Sequence, residues 1–517
     1  MNGFSCRLWV AALTALVVPE GLPAQQPPAS RPPKPLLYHK ARPEIQKRVA
    51  ENDEKSAKSL MLMLDKAVRT SRSMLRQVTL IQSGDPSGIA QPATPAQAKR
   101  QRQDLIRHLE RLEAYWQWQV VVSDLQEAIG QMTSAEATEV FLDRLPRLRP
   151  VAQVVVLMGL SKHPPSEPVD AEVLKLMLKT RESQVRVACI EVLTRHLVRT
   201  AGPDVLEFLN VEGPIAEQIV AIRYLALMND PHMAVGPLIQ YLDTGGLRVR
   251  CQYEANAALR MLTGQKYHPH NVNHWRAWWK EHGSDFKPRP ANEFKILFNY
   301  ELFTDREAEA QAAEKAVEAG GEDLYYYNIP FVTDRVVFVM DISGSMDSPT
   351  ASGKSRLNEA RDKLKKLIAE LPEDTQYGIL LFNHRAARWP QRGWTAPATK
   401  ANKLSAARFL DSAKAAGSTA TLAALEAVIR HMTAKAEIDT VFLLTDGQPN
   451  PMFIASYYKD PGTPVHPDTG IEMVKRIRFL NQTRKVRINT IGTGEAPSPF
   501  LEVISKTNDG KFMRTAD

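Results

Sequence analysis

The residues whose chemistry is most readable lie in the last third of a 517-residue chain. Asp341-Ile342-Ser343-Gly344-Ser345 ends a short apolar run, Thr419 lies 78 residues beyond Asp341, and Asp446 comes a further 27 on. Two carboxylates and three hydroxyls supply oxygen ligands only, and only two of them are anionic. Such a set suits a hard divalent cation that keeps several waters, which places Mg²⁺ ahead of Mn²⁺ or Ca²⁺. Gly344 is expected to let the loop bend so that both serine hydroxyls face one point. A cation held by so few charges, with a coordination position free, would attract the Asp or Glu carboxylate of a protein partner. The same ion could polarise a phosphoryl or carbonyl group for hydrolysis. Hydrolysis also needs a base or nucleophile, and only His384, just after a strand, offers itself. Ser352-Gly353-Lys354-Ser355 sits like a phosphate-binding loop, but the full spacing requires glycine where Ser348 stands. HExxH and GxSxG are absent too.

To bring these residues together the chain needs strands that end side by side. Four short β-rich runs are present, Arg335–Asp341, Tyr377–Phe382, Thr440–Thr445 and Val486–Ile491. Amphipathic stretches separate them, Arg356–Glu370, Leu422–His431 and Gly470–Asn481. This alternation predicts an α/β fold with a doubly wound parallel sheet covered on both faces, where ligands bind at the carboxyl ends of the strands.

On these residues, 334–517 resembles a von Willebrand factor type A domain with a metal-ion-dependent adhesion site. Asp341, Ser343 and Ser345 fit its DxSxS element, Thr419 its threonine, and Asp446, within LLTDGQPN, its last aspartate. The resemblance implies that Ser343, Ser345 and Thr419 bind the ion directly while Asp341 and Asp446 act largely through water. Ala420 departs from the pattern, since many members carry a polar residue there.

The rest of the chain reads as helical. In 43–130, Met61, Leu64, Val68, Leu75 and Val78 form one apolar seam, and Leu105, Leu109, Leu112, Trp116 and Val120 form another. The turn-rich SGDPSGIAQPATP between them predicts an antiparallel helical hairpin. In 131–284, Ala152, Ala188, Ala221 and Ala255 recur at intervals of 36, 33 and 34, each followed four residues later by Val156, Val192, Leu225 or Leu259. Two helices per such period is the signature of an α-solenoid. The units resemble HEAT repeats, with tetratricopeptide units as the alternative. Trp275, Trp278 and Trp279 fall on one helical face and are expected to cap the array, a carbohydrate platform being the other reading. Pro269 and the lack of a carboxylate cluster argue against a metal site at His268, His270 and His274.

Residues 1–24 read as a secretory signal peptide. Arg7 precedes the uncharged run Leu8–Val18, which as a helix rises only about 16 Å and is too short to span a bilayer. No other uncharged stretch of that kind is long enough, so no transmembrane helix is expected in the mature chain. Residues 25–42 are Pro-rich and read as an extended tether, and 285–333 as a linker containing a charged helix near 305–318. Apolar residues at 44% and charged residues at 24% exclude a wholly disordered chain, and three cysteines exclude a disulfide framework. The net charge of +8 comes with no basic patch interleaved with aromatics, so nucleic acid is not an expected partner. The expectation is an exported bacterial adhesion or interaction protein, not an enzyme. In this reading the ion grips an acidic partner and the helical repeats offer a second surface. A metal-assisted hydrolase and a scaffold that the ion merely stabilises are the alternatives.

Overall fold

The computed structural model describes residues 37–76, 82–83, 94–288, 324–431, 437–447, 469–494 and 499–515. The signal segment, most of the Pro-rich tether and the charged helix near 305–318 lie outside the described residues. The end of the tether is not extended. Helix α1 (Leu37–Glu51) starts there, with Tyr38 and Ile45 buried and Pro43 inside it. Proline costs a helix an amide donor. Burial of Tyr38, with the Arg42 guanidinium 4.5 Å over its ring, offsets that cost.

The expected two-helix hairpin is a three-helix unit. Asp53 caps α2 (Glu54–Leu75), its carboxylate accepting from the Ser56 amide at 2.7 Å, and Thr94 caps the long α3 (Pro95–Gln131). Both α1 and α2 lie against α3. Leu60, Leu64, Val68, Leu112, Trp116 and Val120 are buried there.

The array continues through α4 (Ala135–Arg144), α5 (Pro150–Leu160), α6 (Glu167–Lys179), α7 (Ser183–Arg195), α8 (Gly202–Leu206), α9 (Ile215–Leu227), α10 (Pro231–Leu242), α11 (Val249–Thr263) and α12 (Val272–His282). Helices α5, α7, α9 and α11 stack in succession as an inner row. Each carries one of the periodic alanines, and all four alanines and their apolar partners are buried. The small side chains let the backbones of this row approach closely. Of the three tryptophans, only Trp275 is fully buried, donating its indole N–H to Asn256 at 3.0 Å. Trp278 and Trp279 are half-buried.

An eight-stranded sheet forms the C-terminal part. In chain order its elements are β1 (Gln82–Ser83), β4 (Arg335–Asp341), α13 (Arg356–Glu370), β5 (Gln376–Phe382), β6 (Arg385–Trp389), β7 (Ala396–Pro397), α14 (Lys400–Asp411), α15 (Thr421–Arg430), β8 (Thr440–Thr445), α16 (Thr469–Asn481), β9 (Arg487–Gly492), α17 (Pro499–Lys506) and β10 (Phe512–Arg514). The strand order is β1-β6-β5-β4-β8-β9-β10, parallel except that β6 and β7 run antiparallel to β5. Successive residues of β4 serve opposite faces, as pleating requires. Val336, Phe338 and Met340 share a core with α13 and α14, while Val337 and Val339 join a core with α15, α16 and the helical array. A small hairpin, β2 (Tyr325–Tyr326) and β3 (Ile329–Pro330), covers the first face. Tyr326 lies edge-on to Phe338 and Phe442, both at 5.5 Å, so 324–333 packs on the sheet and is not free linker.

The second face of the sheet meets the inner row. Arg250, fully buried on α11, donates to the carbonyls of Asp439, at 2.6 Å, and Lys485. Arg223 on α9 reaches Glu254 and Asp509 at 2.9 Å, and Lys485 pairs with Glu191 on α7. Arg42 bridges Asp124 of α3 to Glu472 of α16. The helical repeats, expected to offer a second surface to partners, thus turn their inner row toward the chain's own α/β domain.

Candidate metal centre

Three loops converge at the carboxyl end of β4. The Gly344 amide donates to the Gly417 carbonyl at 2.9 Å, and the Ala416 amide to the Ile342 carbonyl at 2.9 Å. Asn383, just past β5, ties the third loop in. Its side-chain amide donates to the Ala416 carbonyl at 2.7 Å, and its own carbonyl accepts from the Ala420 amide at 3.0 Å. Glycine is needed at Gly417, not at Gly344. Gly417 has φ +78°, and a Cβ there would lie 2.4 Å from His384 Nδ1. Gly344 begins an ordinary 3₁₀ turn, Gly344–Asp347.

Within this frame the five expected residues stand together. Asp341 is fully buried, with Oδ1 accepting from the Ser343 amide at 2.7 Å and Oδ2 from the Thr445 hydroxyl. Burial pushes its carboxyl up to about 6, against the pull of those hydrogen bonds. The Ser343 and Ser345 hydroxyls are 3.2 Å apart, and Ser345 donates to Asp446 Oδ1 at 2.8 Å. Thr419 joins across Gly447, where a Cβ would sit 3.7 Å from Thr419 Oγ1 and 3.9 Å from Ser345 Oγ. Gly344 and Ser345 are exposed while Asp341, Ser343 and Thr419 are buried, so the cluster opens to solvent on one side.

This donor set fits a hard cation. The cluster holds oxygens alone, and two of its side chains are carboxylates. Among the described residues no group of three or more His, Cys, Asp or Glu could hold a metal.

Two residues of the site were not singled out from the sequence. One is Asn383. The other is Arg356, whose Nη1 donates to Asp446 Oδ2 at 3.1 Å. His384 lies against Gly417, and burial lowers its pKa. Lys354, from the decoy loop, pairs with Asp362 at 2.6 Å. His268 and His270 lie with rings 5.0 Å apart, and His274 stacks on Tyr267.

Fold and site together define a helical array followed by a von Willebrand factor type A domain with a mostly parallel central sheet. Residues 336–448 match the family model described as von Willebrand factor type A domain. Over 130 residues the chain is 32% identical to mouse inter alpha-trypsin inhibitor, heavy chain 4, covering 24% of this chain and 13% of that protein. Over 196 residues it is 27% identical to inter-alpha-trypsin inhibitor heavy chain H1 of Mesocricetus auratus, covering 36% of this chain and 19% of the relative. The chain thus spans less than a fifth of the length of either relative. A von Willebrand factor type A structure from Catenulispora acidiphila is 20% identical over 37% of this chain and 40% of that one, with a TM-score of 0.29. Among the described residues no helix is long and apolar enough to cross a membrane.

Proposed function

We propose that this protein binds a divalent cation, Mg²⁺ first, and uses it to hold the Asp or Glu carboxylate of a protein partner. Ser343, Ser345 and Thr419 would hold the ion, with Asp341 and Asp446 acting through water. The bound ion supplies a Lewis-acidic position for the partner's carboxylate. The observation that carries this reading is the position of Ser345, exposed at the rim and in contact with both Ser343 and Asp446. An adhesion or interaction role agrees with the von Willebrand factor type A match. Export rests on the first 24 residues of the sequence.

Two results are expected. Immobilised full-length protein should capture a partner from an envelope extract in Mg²⁺ and release it in EDTA. Thr419→Ala should lose that capture, and Mg²⁺ binding by calorimetry, with an unchanged circular dichroism spectrum. Capture that persists in EDTA would sink the reading. The second result concerns pH. Below about 6, the proton held by Asp341 competes with the metal. Mg²⁺ affinity should then fall by about tenfold per pH unit between pH 6 and 4, a slope that titrations at several pH values would measure.

A further inference from the structure

Arg356 is the first residue of α13, behind the cap Ser355, whose hydroxyl accepts from the Asn358 amide at 3.3 Å. Its side chain, 16% exposed, carries the guanidinium across the strand ends to Asp446, whose side chain is fully buried. Asp446 is held on both oxygens, Oδ1 by Ser345 and Oδ2 by Arg356. The guanidinium has room to lie there because of Gly494, which follows β9 with φ +104°. A Cβ at that position would come within 3.2 Å of Arg356 Cζ and Nη2, tighter than ordinary contact. A charged side chain has therefore been placed against one of the two carboxylates of the site.

We infer that Arg356 is a specificity-determining residue of the centre, which trades metal affinity for affinity toward an anionic ligand. The inference rests on the metal-binding reading given above. Two carboxylates alone would neutralise a dication. With the guanidinium counted, the loaded site keeps one net positive charge. That surplus favours a carboxylate ligand and disfavours the metal, because at this range in a partly buried site unlike and like charges interact strongly. The hydrogen bond also fixes which Asp446 oxygen faces Ser345.

The test separates charge from hydrogen bonding in the full-length protein. Arg356→Gln removes the charge and keeps a donor, whereas Arg356→Lys keeps the charge. By calorimetry, R356Q should bind Mg²⁺ at least about tenfold more tightly than the parent, and R356K within about threefold of it. In the presence of Mg²⁺, R356Q should capture less acidic partner despite its tighter metal. Unchanged or weaker Mg²⁺ binding by R356Q, or equal tightening in R356K, would overturn the inference. If R356Q does not fold, Arg356→Met repeats the charge removal. A parent protein that binds no Mg²⁺ marks a different failure, that of the metal-binding reading itself.

Discussion

Glu426→Ala is expected to destabilise the protein by about 3–5 kcal/mol, the usual cost of stripping one partner from a buried charge network. Glu426 is fully buried in α15 and accepts hydrogen bonds from four side chains. Two come from α3, Tyr115 at 2.7 Å and Trp116 at 3.0 Å. The others come from Arg430 on its own helix at 2.6 Å and Arg476 on α16 at 2.8 Å. Burial alone would raise the carboxyl's pKa, but the two guanidiniums outweigh it and hold it at about 2. Alanine would leave the buried guanidinium of Arg476 and the half-buried one of Arg430 without their counter-charge, and two ring donors without an acceptor. The pH signature follows from the sign of that shift. A depressed carboxyl contributes stability above its unfolded pKa of 4.5 and loses it as pH falls toward 2. Denaturant unfolding should therefore show a gap between parent and variant at pH 6 that narrows toward pH 3. A loss below about 1 kcal/mol would show that this cluster does not lock the array to the α/β domain.

The second large effect has the opposite sign. Asp341→Asn should abolish Mg²⁺ binding and yet raise the melting temperature in EDTA. Asp341 has its carboxyl raised from 3.8 to about 6 by burial, so at neutral pH the folded protein bears the cost of ionising it in a dry site. The stability this group contributes is complete below pH 3.8 and is lost as pH rises through about 6. At pH 7 the loss is of order 2–3 kcal/mol, and asparagine avoids it. Asparagine also keeps the local bonds, because its oxygen can accept from the Ser343 amide while the Thr445 hydroxyl turns to accept from its amide. The melting difference between the Asp341→Asn variant and its parent, both in EDTA, should thus vanish near pH 4 and grow toward pH 7. A variant that melts lower at pH 7 would contradict this account of Asp341.

What could be read in advance follows from how locally each feature is encoded. The parallel strands were legible because burial on both faces leaves runs such as Thr440–Thr445 buried throughout, with four consecutive apolar residues, Val441 to Leu444. The inner row was legible because each helix meets the same environment, which forces alanine to recur at nearly constant spacing. Three site residues sit within one turn of chain, and the other two end or open predicted elements. The polar fastening between the two halves was hidden, because its partners are far apart in sequence and each looks ordinary alone. Trp116 read as part of an apolar seam, yet its indole N–H serves Glu426, 310 positions away. Arg356 looked like one charge among many at a helix start, and only folding brings it to Asp446. Helix α1 and strand β1 were missed for a related reason. Their short apolar or polar segments are organised by the surfaces they land on, against local signals that favour extended or turn structure.

Strand β1 has a consequence for how the molecule can be divided. It pairs in parallel with β6, Gln82 beside Arg385, so the border of a sheet assembled from the last third of the chain is hemmed by a segment from the first fifth. A strand at such a border exposes a row of amide and carbonyl groups that invites another chain to add itself. A fragment containing only residues 334–517 would carry that bare border, together with the uncovered outer sides of α15 and α16. Such a fragment should self-associate more readily than the intact chain, a difference that sedimentation of the two would measure. In this protein the amino-terminal helices and strand cover surfaces of the sheet that bears the site.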